Sequence, residues 1–260
     1  MARKHLGQNF LFDPAILLNI IRSADLSDMD TVFEIGPGPG RLTRLLAERV
    51  KKVIAIELDH YLYNKLTEGL KDCNNIDLVL GDVLKFPFER LDCFKVVANI
   101  PYYITTPIIF RLIETAKALE SMTLTIQKEV AERIVAGPGT KDYGVLSIMV
   151  QFRTEPELKF IIPKEAFKPV PKVDSAVIHM KLRKKPAVSV QDEELFARLV
   201  RTAFSKRRKT LSNSLKAFEN IRDILIQAGI DPQRRPETLS IEEFAVLSDI
   251  LSAADRQRKG

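Results

Sequence analysis

The 260-residue sequence is poor in the residues that build metal sites and disulfide frameworks. It contains two cysteines (Cys73 and Cys93), three histidines and no tryptophan. With only two thiols, a disulfide-rich scaffold is excluded and a reducing compartment is favoured. We therefore expect a cytoplasmic protein. The three histidines are scattered and no cysteine pair has the spacing of zinc ligands, so the sequence predicts no metal site.

Long apolar runs are also lacking. None approaches the roughly 20 residues that span a bilayer, and the amino terminus, MARKHLGQNF, is positively charged without an apolar segment. We therefore expect neither a membrane anchor nor a secretory signal. The hydrophobic content of 45% and charged content of 28% are typical of a globular protein, and we expect a soluble monomer.

Positive charge is abundant in one segment. The chain has a net charge of +6, yet residues 181–210 alone hold ten Lys/Arg against three acids, a net +7, which leaves −1 for the rest. A local concentration of this kind suits a phosphate backbone or an anionic membrane. A solvated basic face is the alternative.

Short apolar runs alternate with amphipathic stretches between about residues 31 and 127. The strand-like runs are 31–35, 53–57, 76–80, 94–98 and 122–126. This alternation predicts right-handed βαβ units and an open α/β sheet that binds its ligand at the carboxyl ends of the strands. After a further strand-like run at 173–182 the pattern becomes helical. We therefore place a catalytic domain at 1–185 and a small all-α domain at 186–260.

The first predicted strand leads into a glycine loop, Gly36-Pro37-Gly38-Pro39-Gly40, followed by a predicted helix from Arg41. Glycines permit close approach to a ligand, and a helix start offers free N–H groups. The spacing is G-x-G-x-G with Glu34 in the preceding strand, and no GK[ST] of a P-loop follows. A dinucleotide fingerprint would need a small residue where Arg41 stands, which opposes a dehydrogenase. The loop favours S-adenosylmethionine.

Two acids stand at the next strand ends. Glu57 closes the second strand, 21 residues after Gly36, where a carboxylate can accept hydrogen bonds from both ribose hydroxyls. Asp82 follows the third strand, where it can bind an adenine amino group. Either acid alone could simply cap the next helix. The series of loop, Glu57 and Asp82 predicts a Rossmann-like class I methyltransferase sheet.

The fourth strand ends in Asn99-Ile100-Pro101-Tyr102. An aromatic amine is a poor nucleophile because its lone pair is delocalised into the ring. Two hydrogen-bond acceptors aimed at its hydrogens would direct that lone pair toward the methyl group of the cofactor. The Asn99 side-chain oxygen and the Ile100 carbonyl could be those acceptors. Pro101 would stiffen the turn, and Tyr102 offers a stacking face worth about 1–3 kcal/mol per base. Catalysis would then rest on positioning. An Asx turn with packed tyrosines is the alternative, and core packing is the expectation for Tyr103.

Over nearly its whole length the chain resembles the bacterial ribosomal RNA small-subunit adenine dimethyltransferases, whose loss gives kasugamycin resistance. The matching stretches are KHLGQNFL (4–11), EIGPGPGRLT (34–43), IELD (56–59), GDVLKF (81–86), NIPYYITTP (99–107), FKPVPKVDS (167–175) and AFSKRRKTLSNSL (203–215). The resemblance implies methyl transfer from S-adenosylmethionine to N6 of two adjacent adenosines in the 3′-terminal hairpin loop of 16S rRNA. Each adenosine would receive two methyls during assembly of the 30S subunit.

The resemblance also assigns roles to individual residues. Its cofactor contacts fall on Asn9, Leu11, Gly36, Glu57, Asp82 and Asn99. Tyr102 and Phe167 would sandwich the target base. From spacing alone Asn9 would pass as a helix cap and Phe167 as a core residue.

The basic segment would hold the RNA while an unpaired base enters the site. The residues we expect to contact phosphates are Arg207, Arg208 and Lys209.

Two other functions stay open on the sequence. Paralogous enzymes that methylate 23S rRNA and confer macrolide resistance share the cofactor loop and the NIPY motif. The stretches FKPVPKVDSAV and AFSKRRKTLSNSL favour the small-subunit branch. A non-catalytic ribosome assembly factor with the same fold is the other alternative.

Overall fold

The computed structural model of the chain describes residues 9–115, 117–206 and 208–259. Its strands are β1 (Phe10–Leu11), β2 (Thr31–Ile35), β3 (Lys52–Glu57), β4 (Ile76–Leu80), β5 (Phe94–Asn99), β6 (Leu119–Gln127), β7 (Thr154–Ile162), β8 (Phe167–Lys168) and β9 (Ser175–Leu182). Its helices are α1 (Pro14–Arg22), α2 (Arg41–Ala47), α3 (His60–Gly69), α4 (Thr105–Thr115), α5 (Lys128–Val135), α6 (Val145–Arg153), α7 (Glu193–Ala203), α8 (Leu211–Ser214), α9 (Ile221–Gln227) and α10 (Ile241–Lys259).

Among these described residues, seven strands form one sheet in the order β4-β3-β2-β5-β6-β9-β7. The five strands from β2 to β6 pair in parallel, and β9 runs antiparallel to β6. The predicted α/β fold is confirmed. The edge strand β7 is an addition that the sequence patterns did not indicate.

The central strands are buried on both faces, which explains their unbroken apolar runs. In β2 the side chains of Val32, Phe33 and Ile35 are all buried, and in β5 so are Val96 and Val97. Helices cross between the parallel strands and cover them. The carboxyl ends of β2 to β6 therefore face one edge of the sheet, where their connecting loops meet.

Aspartates begin several helices by capping free N–H groups. Asp13 accepts from the amide of Ala15 at 2.8 Å before α1, and Asp59 accepts from the amide of Tyr61 at 2.8 Å before α3. These caps fix the residues at which the loops before α1 and α3 end.

The chain divides into two compact units. One contains the described residues up to 131 together with 155–182, and the other contains 132–154 and the described residues from 183 onward. The chain passes from one unit to the other three times, and the boundary expected near residue 185 is close to the third change, between residues 182 and 183. The hairpin of helices across 132–154, however, belongs with the carboxyl-terminal helices, because Phe152 stacks on Phe196 with ring centroids 4.8 Å apart.

Within the described part of the chain, no helix is both long and apolar enough to cross a bilayer. The same residues contain no group of three or more His, Cys, Asp or Glu side chains that could hold a metal ion.

A candidate active site at the ends of four strands

Residues that follow β2, β3, β4 and β5 line a single cleft at the carboxyl edge of the sheet. The lining includes the predicted residues Asn9, Gly36, Glu57, Asp82, Asn99, Ile100, Pro101 and Tyr102. Backbone hydrogen bonds continue past the strands and keep these ends in line. The amide of Gly36 donates to the carbonyl of Ile56 at 2.9 Å, and that of Gly81 donates to the carbonyl of Glu57 at 2.9 Å.

The glycine loop needs glycine at its three positions for geometric reasons. Gly36, Gly38 and Gly40 have φ values of +64°, +57° and +79°, in the region that side chains rarely adopt. A Cβ at Gly38 would lie 2.8 Å from the Phe10 ring, and one at Gly40 would lie 2.7 Å from Leu66. The loop is thus packed between β1 and α3 while its backbone faces the cleft.

Glu57 lies buried on the cleft wall at the end of β3. One carboxylate oxygen accepts from the amide of Asp59 at 2.9 Å, and the other accepts from Gly38 at 3.3 Å. Burial raises the pKa of Glu57, and these amide donors oppose that rise. The amide of Gly38 thus ties the glycine loop to this carboxylate, whose position suits a pair of hydroxyl donors.

Asp82 follows β4 and caps the next helical turn, which is the alternative role that the sequence left open for it. Its Oδ1 accepts from the amide of Leu84 at 2.9 Å and begins the short 3-10 turn Val83–Lys85. This turn brings apolar side chains to the cleft beside the carboxylate. The cleft wall there is formed by Val83, Leu84, Ile56 and Leu58, which the motif-based reasoning missed although GDVLKF and IELD contain them.

Glu34 lies under the glycine loop and not in the main cleft. Glu34 is 2% exposed, and its Oε2 has no hydrogen-bond partner among the residues that the structure describes. Burial raises the pKa of Glu34 to about 8; the Thr43 hydroxyl partly offsets this, and the charge of Glu57 adds to it. At neutral pH the group is therefore mostly protonated, an uncharged acid beneath the loop.

The side chain of Asn99 is oriented by the backbone of Asn9. Its Nδ2 donates to the backbone carbonyl of Asn9 at 3.0 Å. An amide with its nitrogen committed in this way turns its oxygen in the other direction. The oxygen of Asn99 is thus the end of the side chain left to accept, and Asn9 makes this contact through its backbone carbonyl.

The turn after Asn99 is rigid. Ile100 is buried, and its amide donates to the carbonyl of Thr125 on β6 at 3.1 Å. Pro101 has φ of −55° and precedes the 3-10 turn Tyr102–Ile104. Tyr102 is half-buried at the cleft, and its hydroxyl lies 2.7 Å from the Oγ of Ser175.

The expectation for Tyr103 was wrong. Its side chain is 56% exposed and lines the cleft instead of packing in the core. Burial of the remaining part raises its pKa, and the charges of Asp82 and Glu57, which line the same cleft, add to the rise. Successive side chains on a 3-10 turn point about 120° apart, so neighbouring tyrosines reach different neighbours.

Two residues assigned by resemblance do not line the main cleft. Leu11 and Phe167 are buried and face each other across the antiparallel β1–β8 pair. Phe167 is fully buried and packs in the core with Ile162 and Val177. A ring with no exposed face cannot stack on a base, so the structure does not bring Phe167 to the position opposite Tyr102. In this arrangement Phe167 is a core residue, as spacing alone predicted.

The predicted RNA contacts lie in the second unit, between α7 and α8. Arg208 and Lys209 are exposed, and the amide of Lys209 donates to the carbonyl of Lys206 at 3.0 Å. Arg207 lies outside the described residues. The two described side chains are available to solvent and to a phosphate backbone.

Sequence comparisons find close relatives along nearly the whole chain. The family model described as "Ribosomal RNA adenine dimethylase" matches residues 1–253. "Ribosomal RNA small subunit methyltransferase A" of Clostridium botulinum (strain Loch Maree / Type A3) is 50% identical, over 95% of this chain and 93% of its own length. The protein of the same name from Caldanaerobacter subterraneus subsp. tengcongensis is 46% identical, over 96% of this chain and 97% of its own.

Solved structures agree with these matches. A dimethyladenosine transferase from Plasmodium falciparum superposes with a TM-score of 0.78 and 29% identity, covering 92% of this chain and 95% of its own. The 23S rRNA methyltransferase ErmE superposes with a TM-score of 0.75 and 31% identity, covering 94% of this chain and 100% of its own. The resemblance found from the motifs is confirmed, and the chain belongs to the ribosomal RNA adenine dimethylase family.

Proposed function

We propose that this protein transfers methyl groups from S-adenosylmethionine to N6 of two adjacent adenosines in the 3′-terminal hairpin loop of 16S rRNA, dimethylating each. The observation that carries the proposal is the cleft itself. A glycine loop, two acids and an oriented amide meet where four strands end. Relatives named as small-subunit methyltransferases, about half identical over almost the whole chain, support the choice of RNA.

The residues present fit S-adenosylmethionine. Glu57 offers a carboxylate for the ribose hydroxyls, and Asp82 offers one for the adenine amino group between apolar side chains. The glycine loop has no side chain that would fill the space in front of its backbone. Bound S-adenosylmethionine supplies a methyl group on a positively charged sulfur, which takes the electrons of the carbon–sulfur bond when the methyl group leaves.

The chain's own part in the reaction is to hold the adenine amine. Asn99 Oδ1 accepts a hydrogen bond from one N6 hydrogen, and the carbonyl of Ile100 accepts a hydrogen bond from the other. Once N6 has formed its bond to the methyl group it carries a positive charge, and it releases one proton to solvent. Two acceptors in fixed positions direct the nitrogen lone pair toward the methyl group, which is catalysis by orientation. Tyr102 provides the stacking face that holds the ring of the base. The buried Ile100 and the bond from Asn99 to Asn9 mean that this geometry exists before the base arrives.

Arg207, Arg208 and Lys209 hold the RNA in this proposal. Contacts to phosphates are independent of sequence and sensitive to salt. They leave recognition of the base to the cleft, which accepts only an unstacked base. We place the reaction in the cytoplasm, on the immature 30S subunit, with the protein acting as a monomer.

The test is methylation of two RNA substrates by the purified protein. Immature 30S subunits and 23S rRNA transcripts are incubated with protein and S-adenosylmethionine, and the products are digested and analysed by mass spectrometry. We expect four methyl groups on two adjacent adenosines of 16S rRNA. Label confined to 23S rRNA would favour an activity like that of ErmE, and no label on either would favour an assembly factor.

Asn99→Ala separates catalysis from binding. Loss of one preorganised acceptor is expected to lower kcat by about two to three orders of magnitude. Affinity for 30S subunits should change little, because the proposed phosphate contacts are distant in sequence from the amide. The exposed Asn19→Ala on α1 serves as the matched control. Undiminished turnover by the Asn99 variant would remove this residue from the mechanism.

A further inference from the structure

A hydrogen bond links the NIPY turn to a strand far along the chain. The hydroxyl of Tyr102 lies 2.7 Å from the Oγ of Ser175, a residue 73 positions later. Ser175 is fully buried, whereas Tyr102 is half-buried at the cleft. Neither motif-based reasoning nor the proposed function uses the serine hydroxyl.

The topology explains why these residues meet. Strand β6 lies between β5 and β9, so the turn after β5 has to reach across the end of β6. Because β9 is antiparallel to β6, its first residue stands beside the last residue of β6, with Ser175 opposite Gln127. Tyr102 crosses this end of the sheet and contacts the first side chain of β9.

Ser175 is itself held firmly. The preceding residue, Asp174, accepts from the amide of Lys128 at 3.0 Å through its carbonyl and from the amide of Lys164 at 3.0 Å through Oδ1. The backbone of Tyr102 is equally restrained, since its carbonyl accepts from the amide of Thr105. The tyrosine ring is therefore fixed at its Cα by the turn and at its hydroxyl by the serine.

We infer that Ser175 is a positioning residue for methyl transfer: its hydroxyl fixes the direction of the Tyr102 side chain and so the position of the ring on which the target base stacks. The inference rests on the proposed function. Because the Tyr102 side chain is already held at both ends, it loses no rotamer entropy when a base binds. A small rotation of the ring would move the amine relative to its acceptors and to the methyl group, to which the rate is sensitive.

The test is a double-mutant cycle on the two hydroxyls, with kcat, KM for 30S subunits and KM for S-adenosylmethionine measured for each protein. Ser175→Ala and Tyr102→Phe each remove the same hydrogen bond, so each should lower kcat about tenfold. The double variant should be no slower than either single variant, because coupled residues do not add. Ser175→Thr keeps a hydroxyl and should recover most of the rate, while KM for S-adenosylmethionine stays within about twofold throughout.

Ser121→Ala is the matched control, since Ser121 is also buried and lies at the other end of the β6–β9 pair, opposite Lys181. It should transfer methyl groups at the wild-type rate. Additive losses in the double variant, or wild-type kcat in either single variant, would overturn the inference. If Ser175→Ala does not fold, wild-type kcat in Tyr102→Phe alone overturns it. A wild-type protein that methylates no rRNA contradicts the proposed function instead.

Discussion

Replacing Glu34 by glutamine should remove a loss of stability that the wild-type protein undergoes as the pH rises from about 5 to about 8. The carboxyl is fully buried, and its pKa in the folded protein is raised to about 8 from an ordinary value of 4.5. The folded state therefore keeps a proton that the unfolded state releases. Between those two pKa values stability falls as pH rises, by about 1.4 kcal/mol per pH unit. From about pH 5 to about pH 8 the loss due to this group is on the order of 4 kcal/mol.

The assay is urea unfolding at several pH values for wild type and Glu34→Gln, followed by far-ultraviolet circular dichroism because the chain has no tryptophan. The free energy of unfolding of wild type, minus that of the variant, should decrease by about 4 kcal/mol between about pH 5 and about pH 8. Glu68→Gln, at an exposed position, should follow wild type. A Glu34 variant with the same pH dependence as wild type would refute the reasoning.

Three further predictions concern the loop, the cleft and the RNA contacts. Gly40→Ala should lower the stability of the fold in thermal melts by about 2 kcal/mol or more, because a Cβ there would lie 2.7 Å from the Leu66 side chain of α3 and φ is +79°. Gly69→Ala, which has open space around it, should be neutral or stabilising in the same melts, and equal losses in the two variants would contradict this prediction. Tyr103→Ala should raise KM for S-adenosylmethionine about fivefold with little change in kcat, since the ring forms a cleft wall; an unchanged KM would count against it. Replacing Arg208 and Lys209 by alanine should lower the slope of log affinity against log salt by about 1 for each lost phosphate contact, and a salt dependence equal to that of wild type would exclude both.

The centre of the sheet was predictable because its strands are buried on both faces. The predicted run 31–35 coincides with β2, and the predicted run 94–98 lies within β5. The ends of such strands carry polar residues where a core position would be apolar, so Glu57 and Asn99 were identifiable as cleft residues. Parallel strands place those ends side by side, and the site follows from the order of the motifs.

What could not be predicted depends on contacts between distant segments. The 3-10 turn after Asn99 sends Tyr102 and Tyr103 in different directions, and no local pattern distinguishes the two. Spacing alone predicted Phe167 as a core residue, but its pairing with Leu11 in a two-residue strand could not be predicted from the sequence. The assignment of 132–154 to the second unit depends on packing with α7, since helical periodicity alone does not identify a partner.

The bond between Asn99 and Asn9 spans 90 positions in the chain, and that between Tyr102 and Ser175 spans 73. Contacts between such distant positions form late and slowly in folding, because the intervening chain has to be ordered first. During synthesis, a chain that has not yet exposed β9 lacks the partner that fixes the tyrosine ring. The contact between Asn99 and Asn9 needs only the first 99 residues, whereas the contact between Tyr102 and Ser175 waits for the start of β9. The cleft of the first unit is therefore complete only once β9, the last strand of that unit, has been made.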